Sequence, residues 1–280
     1  MPLTSLIMKK SIPFFTIALS LLASCNNSNS DSTIDHSVDN SPPLINYSVV
    51  RTLPHDTTSF TEGLLFHNGE LYESTGTEPS MPESRKSMFG VVDSKTGKIN
   101  IKAELDRNKY FGEGIAFLND KVYQLTWQTK IGFIYDAKTF KKLGEFTIPV
   151  KEGWGMTTDG SLLIMSDGTS NISYVDPTTF RLARVIGVTD NNGPVSNINE
   201  LELIHGFIYA NQWQTNYILK IDPSSGKVVG KLDLETLFTT EQNKYAHADT
   251  MNGIAYDSTT GKVYITGKLW PDIYELKFNF

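Results

Sequence analysis

The chain has 280 residues, 39% of them apolar and 20% charged, and a formal net charge of −6. That apolar share over this length supports a large buried core in one or two domains and excludes a disordered chain. The negative charge repels phosphate backbones, which excludes nucleic acid as the expected partner.

From the N-terminus, Lys9 and Lys10 precede the apolar run Ser11 to Ala23, SIPFFTIALSLLA. The run suits a secretory signal and falls short of the roughly 20 residues that span a bilayer. Leu22, Ala23 and Ser24 lead into Cys25, the only cysteine of the chain. This Leu-Ala-Ser-Cys run resembles a bacterial lipoprotein box, which implies a diacylated thiol at a new N-terminus. A lone cysteine forms no intrachain disulfide, so lipid attachment accounts for it; a chance cysteine after an ordinary signal peptide is the alternative. Residues 1–24 are therefore expected to be a lipoprotein signal peptide. The protein is expected to be exported to the periplasm or cell surface and held on a membrane by its lipid alone. Asn26 to Pro43, NNSNSDSTIDHSVDNSPP, is too poor in apolar residues to fold, so residues 25–44 read as a flexible tether and 45–280 as the folded domain.

Beyond Ile45, apolar-polar alternation and β-branched or aromatic runs dominate, broken by Asn-Gly, Asp-Gly and Thr-Gly-Lys turns. No amphipathic helix is expected; Leu232 to Leu237 makes at most one or two turns. Glu62-Gly63-Leu64, Glu113-Gly114-Ile115, Trp154-Gly155-Met156, Glu200-Leu201-Glu202 and Asn252-Gly253-Ile254 each open a strand. Each is followed by a second strand: LYESTG, VYQLTWQ, LLIMSDG, IYANQWQ or VYITGK. Four units continue into a third strand ending in an aspartate and a turn: VVDSKTG, IYDAKTF, YVDPTTF and KIDPSSG. Periods of about 40 to 50 residues made of short strands read as blades, so the fold expected is all-β, a five-bladed β-propeller. The last unit has three strands, and Asn46 to Leu53 is expected to supply its outer strand and close the ring.

In a propeller the first strand of each blade lines the central channel. Phe60, Glu62, Phe111, Glu113 and Asn199 then converge at one mouth, joined from the second strands by Trp127, Trp213 and Lys268. Trp270, beside Pro271, is assigned to packing between blades.

The motifs FTEGL, FGEGI, QLTWQ, EGWGM, INELE, NQWQTN, MNGIAYD and TGKLWP run in order through all five units. Together they resemble the glutaminyl-peptide cyclotransferase family of the plant and bacterial type, which is a five-bladed propeller family. The resemblance covers roughly Phe60 to Phe280. It implies ring closure of an N-terminal glutamine to pyroglutamate with loss of ammonia, on peptides or proteins that begin with glutamine, by a monomer. It implies no catalytic zinc, unlike the unrelated animal-type enzymes. Residue by residue, Glu113 is similar to the family's acid/base, and Phe60, Phe111, Trp127, Trp154 and Trp213 to its pocket walls. Asn199 and Lys268 resemble the polar groups beside the scissile amide. Glu62 stands where plant members carry glutamine, which leaves open how the two acids divide the work.

The chemistry of these residue types agrees. Ring closure needs a proton acceptor for the attacking amine and a donor for departing ammonia, and one carboxylate can serve as both in turn. An aromatic surround raises its pKa by desolvation and a second acid raises it by repulsion, so one of Glu62 and Glu113 is expected to hold a proton. Lys268 and Asn199 are the expected donors to the developing oxyanion. Set against this, two glutamates can be a solvated rim and Lys268 an ordinary turn lysine. His55, His247, Asp56, Asp167 and Asp249 lack the spacing of a catalytic transition-metal site, though a structural calcium bound through carbonyls stays open. No Gly-x-Ser-x-Gly elbow appears, which disfavours a serine nucleophile. The alternative functions are a non-catalytic, lipid-anchored propeller that binds peptides or partner proteins and, behind it, a glycosidase with paired carboxylates.

Overall fold

Five four-stranded antiparallel sheets, each meandering from the axis outward, make up the computed structural model, which describes residues 41–84 and 86–280. The signal run, Cys25 and most of the tether lie outside the described residues. Blades 1 to 4 occupy residues 61–105, 112–147, 156–187 and 198–233. Blade 5 takes Met251–Asp257, Lys262–Gly267 and Asp272–Phe278 from the C-terminal end. Its fourth strand is Tyr47–Pro54, antiparallel to Asp272–Phe278 from Tyr47↔Phe278 to Pro54↔Asp272. The five inner strands contact one another in cyclic order, so the ring closes as the sequence predicts. The chain already meets the propeller at Pro43, whose carbonyl accepts from the Lys231 N–H at 2.9 Å.

Local chemistry explains the hairpins. Between first and second strands, Asn68 and Gly69, Asn119 and Asp120, and His205 and Gly206 all have positive φ. Two such residues in a row are the signature of the turn whose twist matches a two-residue hairpin. After the third strands, the Oδ1 atoms of Asp93, Asp136, Asp176 and Asp222 accept backbone N–H bonds from residues two or three further on. Those bonds hold each carboxyl below its ordinary pKa, with the Ser224 hydroxyl bond the larger cause at Asp222.

The expectation of at most one or two helical turns over Leu232 to Leu237 is corrected. Glu235–Lys244 forms a ten-residue helix that follows blade 4. It lacks an apolar stripe because it buries little beyond Leu237 and Glu241. Its anchor is polar: the Glu241 carboxylate accepts from the Asp272 N–H at 3.0 Å, from Lys244 and from the Tyr274 hydroxyl. Trp270 is fully buried, as assigned, and its indole donates to the Asp249 carbonyl at 2.7 Å.

At the axis the inner strands pack at glycine distance. A Cβ on Gly155 would lie 2.2 Å from the Asn199 carbonyl oxygen, and one on Gly114 2.5 Å from the Met156 nitrogen. Blade 4 has Glu200 where these neighbours have glycine. Its carboxyl crosses the axis to accept from the Leu64 N–H at 3.3 Å and the Ile254 N–H at 2.9 Å. Only 1% of Glu200 is exposed.

Candidate active site

Glu62, Glu113, Asn199 and Asn252 are each the second residue of an inner strand, in Thr61–His67, Gly112–Leu118, Ile198–Ile204 and Met251–Asp257. In all four strands the pairing register breaks across that residue, between Thr61 and Gly63, Gly112 and Ile115, Ile198 and Leu201, and Met251 and Ile254. A bulge re-aims the side chain it carries. These irregularities bring the four side chains to one end of the channel.

A second set comes from the ends of the second strands. The N–H groups of Gly76, Trp127, Trp213 and Lys268 donate to the carbonyls of Phe60, Phe111, Asn197 and Thr250, at 2.8 to 3.0 Å. Each acceptor lies two residues before the bulged side chain of its own blade. Lys268 is thus the counterpart of Trp127 and Trp213. Gly76, the counterpart in blade 1, leaves the space that the Phe111 ring fills, since a Cβ there would sit 2.0 Å from that ring.

All nine residues named from the sequence, Phe60, Glu62, Phe111, Glu113, Trp127, Trp154, Asn199, Trp213 and Lys268, line one cavity of about 370 Å³. The walls are aromatic and pack edge to face. Phe60 meets Phe111 with centroids 6.0 Å apart, Phe111 meets Trp127 at 5.8 Å, and Trp154 meets Trp213 at 5.5 Å. Trp154 rests on Gly168, whose φ is +75° and whose missing Cβ would strike the indole at 2.6 Å.

The floor is polar and almost dry: Glu62, Glu113, Asn199 and Lys268 are 2%, 5%, 3% and 6% exposed. Lys268 Nζ donates to Glu62 Oε1 at 2.6 Å and lies 4.5 Å from the centre of the Phe60 ring. The other Glu62 oxygen accepts from Asn252 Nδ2 at 3.0 Å. Burial pushes the Glu113 carboxyl well above the usual range, helped by repulsion from Glu62 and Glu152 and opposed by Lys268. Burial raises Glu62 too, but the Lys268 charge and hydrogen bond pull it back. Both carboxyls are raised, Glu113 the further of the two, which makes it the stronger holder of a proton at this floor. The Asn199 Oδ1 is buried without a protein partner, and so is the Asn252 Oδ1.

Sequence reasoning missed Asn252, although the same triplet comparison that selected Glu62 and Glu113 aligns it with them. It also missed Glu152, which stands behind the indoles, and the rim residues Glu78, Met81, Gln214, Asp249 and Thr250. The rim comes from loops that follow no strand period. Lys268 was expected to point its ammonium at an oxyanion; its nearest partner is Glu62. His55, considered for a metal, is buried between the Glu73 carboxylate, at 3.0 Å, and the Trp270 carbonyl, at 2.6 Å. Among the described residues no three His, Cys, Asp or Glu side chains gather as a metal cluster.

The glutamine cyclotransferase family model matches residues 16–278. The glutaminyl-peptide cyclotransferase of Arabidopsis thaliana is 39% identical over 245 residues, which are 87% of this chain and 74% of that protein. The crystal structure of Myxococcus xanthus glutaminyl cyclase superposes with a TM-score of 0.75 at 30% identity, covering 85% of this chain and 98% of that one. Matches of this extent, in sequence and in fold, make the chain a member of the glutamine cyclotransferase family.

Proposed function

We propose that this protein is a glutaminyl-peptide cyclotransferase, which closes the N-terminal glutamine of peptides and proteins into pyroglutamate and releases ammonia. The observation that carries the reading is Glu113, a buried carboxyl at the floor of an aromatic cavity whose pKa burial and neighbouring acids push well up, beside a second carboxylate paired with Lys268. Membership of the family supports it.

In the reaction the neutral α-amine attacks the side-chain carboxamide carbon, a C–N bond forms, and the C–N bond to the leaving nitrogen breaks. The ring nitrogen sheds one proton and the leaving nitrogen gains one. Glu113 balances both: it gives its proton to the departing ammonia and recovers one from the ring nitrogen. Glu62, ionised against Lys268, disfavours a second negative charge and so keeps Glu113 in its acid form. The unpartnered Asn199 Oδ1 is an acceptor for an N–H of the substrate, and the Lys268 ammonium has donors beyond the one given to Glu62. The indoles hold the glutamine side chain folded back on its amine, which replaces a search through open conformers with a near-attack geometry. These steps run through side chains alone.

The test is incubation of the purified full-length protein with a glutamine-initiated peptide and mass spectrometry for loss of one ammonia. Loss is expected with the native protein and not with Glu113→Gln. Tight binding of such peptides without any ammonia release would leave the non-catalytic propeller as the correct reading.

We propose further that Cys25 is lipidated and that the tether places the propeller outside a bacterial membrane. The support is the signal pattern and the lone thiol. Metabolic labelling with a fatty acid should mark the native protein and not Cys25→Ser.

A further inference from the structure

The aromatic wall is built in two halves. Phe60, Phe111 and Trp127 pack edge to face from blades 1 and 2, and Trp154 packs edge to face on Trp213 from blades 3 and 4. Between Trp127 and Trp154 the joint is a carboxylate. Glu152 Oε2 accepts from Trp127 Nε1 at 2.9 Å and from Trp154 Nε1 at 3.0 Å. The next residue shows why Glu152 reaches both. Gly153 lies so close to the second strand of blade 2 that a Cβ there would sit 2.8 Å from the Thr126 carbonyl oxygen.

We propose that Glu152 is a positioning residue of this cavity, one carboxylate oxygen that ties the indoles of two blades together and so sets the width of the slot that grips the substrate. Two hydrogen bonds from indoles to one charged oxygen are a strong and directional clamp. An edge-to-face contact, by contrast, tolerates sliding. Glu152 is half-buried and outside the cavity lining, so it touches the indoles without touching the substrate. Its charge has a second effect. It stands with Glu62 against ionisation of Glu113, while Lys268 works in favour; the other charges near the mouth are Glu78 and Asp249.

The inference rests on the cyclotransferase reading, and two variants separate its failure from the failure of that reading. Glu152→Gln keeps an oxygen that can accept from both indoles and removes the charge. Its KM should stay within about twofold of the native value, while the pH-rate limb set by Glu113 moves to lower pH. Glu152→Ala removes the clamp, and KM should rise about tenfold, the effect of losing one charge-assisted hydrogen bond. A third readout needs no turnover: the Trp127 and Trp154 indole N–H resonances should shift upfield in Glu152→Ala and stay nearly in place in Glu152→Gln. Resonances unchanged in both variants, or a native KM and pH profile in both, overturn the inference. An inactive native protein with the indole shifts as expected overturns the reaction and leaves the clamp.

Discussion

Glu62 and Lys268 are 206 residues apart in the chain and 2.6 Å apart in the cavity floor, one from the first blade and one from the last. The pair bridges blades 5 and 1, the last and the first in the chain, so the registry of these two blades and the active-site charge depend on the same contact.

Removing Lys268 leaves Glu62 buried without its counter-ion. Lys268→Met should destabilise the fold by about 3–5 kcal/mol, the cost of breaking a buried pair from one side. Glu62→Gln in the same chain should recover much of that loss, because no charge is left to desolvate. Chemical denaturation of the two single variants and the double variant measures the coupling. Losses that simply add would show that the two side chains do not interact.

Glu113→Gln should lower turnover by about 10²–10⁴-fold, the usual worth of a positioned acid/base. Stability should hold or rise, since a neutral amide in that position is spared the proton that the buried carboxyl must take up at neutral pH. Comparing kcat with thermal melting distinguishes this from a folding defect.

Stability should be greatest on the acid side of neutrality. Burial raises Glu113 and Glu200 well above their ordinary pKa and lifts Glu202 to about 8. A carboxyl raised on folding favours the folded state while it stays protonated, and that advantage is lost as pH climbs from the ordinary value through the raised one. The turn aspartates work the other way: their lowered values add stability that is lost only as pH falls below about 4. The Tm should therefore fall between pH 5 and pH 8, and Glu202→Gln should flatten the fall. A Tm that climbs steadily to pH 8 would contradict the assignment.

Gly76→Ala should act on binding more than on folding. The new methyl meets the Phe111 ring at 2.0 Å, and the side with room to yield is the cavity. KM for a glutamine-initiated peptide should rise severalfold, with a stability cost of no more than about 1–3 kcal/mol. A native KM would mean that the ring has somewhere else to go.

Much of this architecture is legible because it is written in short-range signals. Asn68-Gly69 and the aspartates of the outer turns each specify a hairpin by themselves, and their recurrence gives the blade count. The site was legible through the same repeat: an acid or amide before a small residue at the start of a strand marks the bulges at Glu62, Glu113 and Asn252. What escaped depends on contacts distant in sequence. The helix Glu235–Lys244 is held by Tyr274 and Asp272 rather than by an apolar stripe. Glu152 lies in a connection between blades, and only the approach of Gly153 to Thr126 gives it a purpose. Asn252 carried the right signal, as the first residue of its triplet, and its role shows only in the hydrogen bond it gives to Glu62.

Glu200 has a consequence for which substrates fit at all. By filling the axis beneath the floor, it makes the site a blind well rather than a tunnel. A polypeptide cannot be threaded past it, so a glutamine in mid-chain would have to enter as a loop, with two strands at the mouth instead of one. A terminus reaches the bottom with one strand at the mouth, which by itself favours a first residue over an internal one. Whatever enters by the mouth must also leave by it.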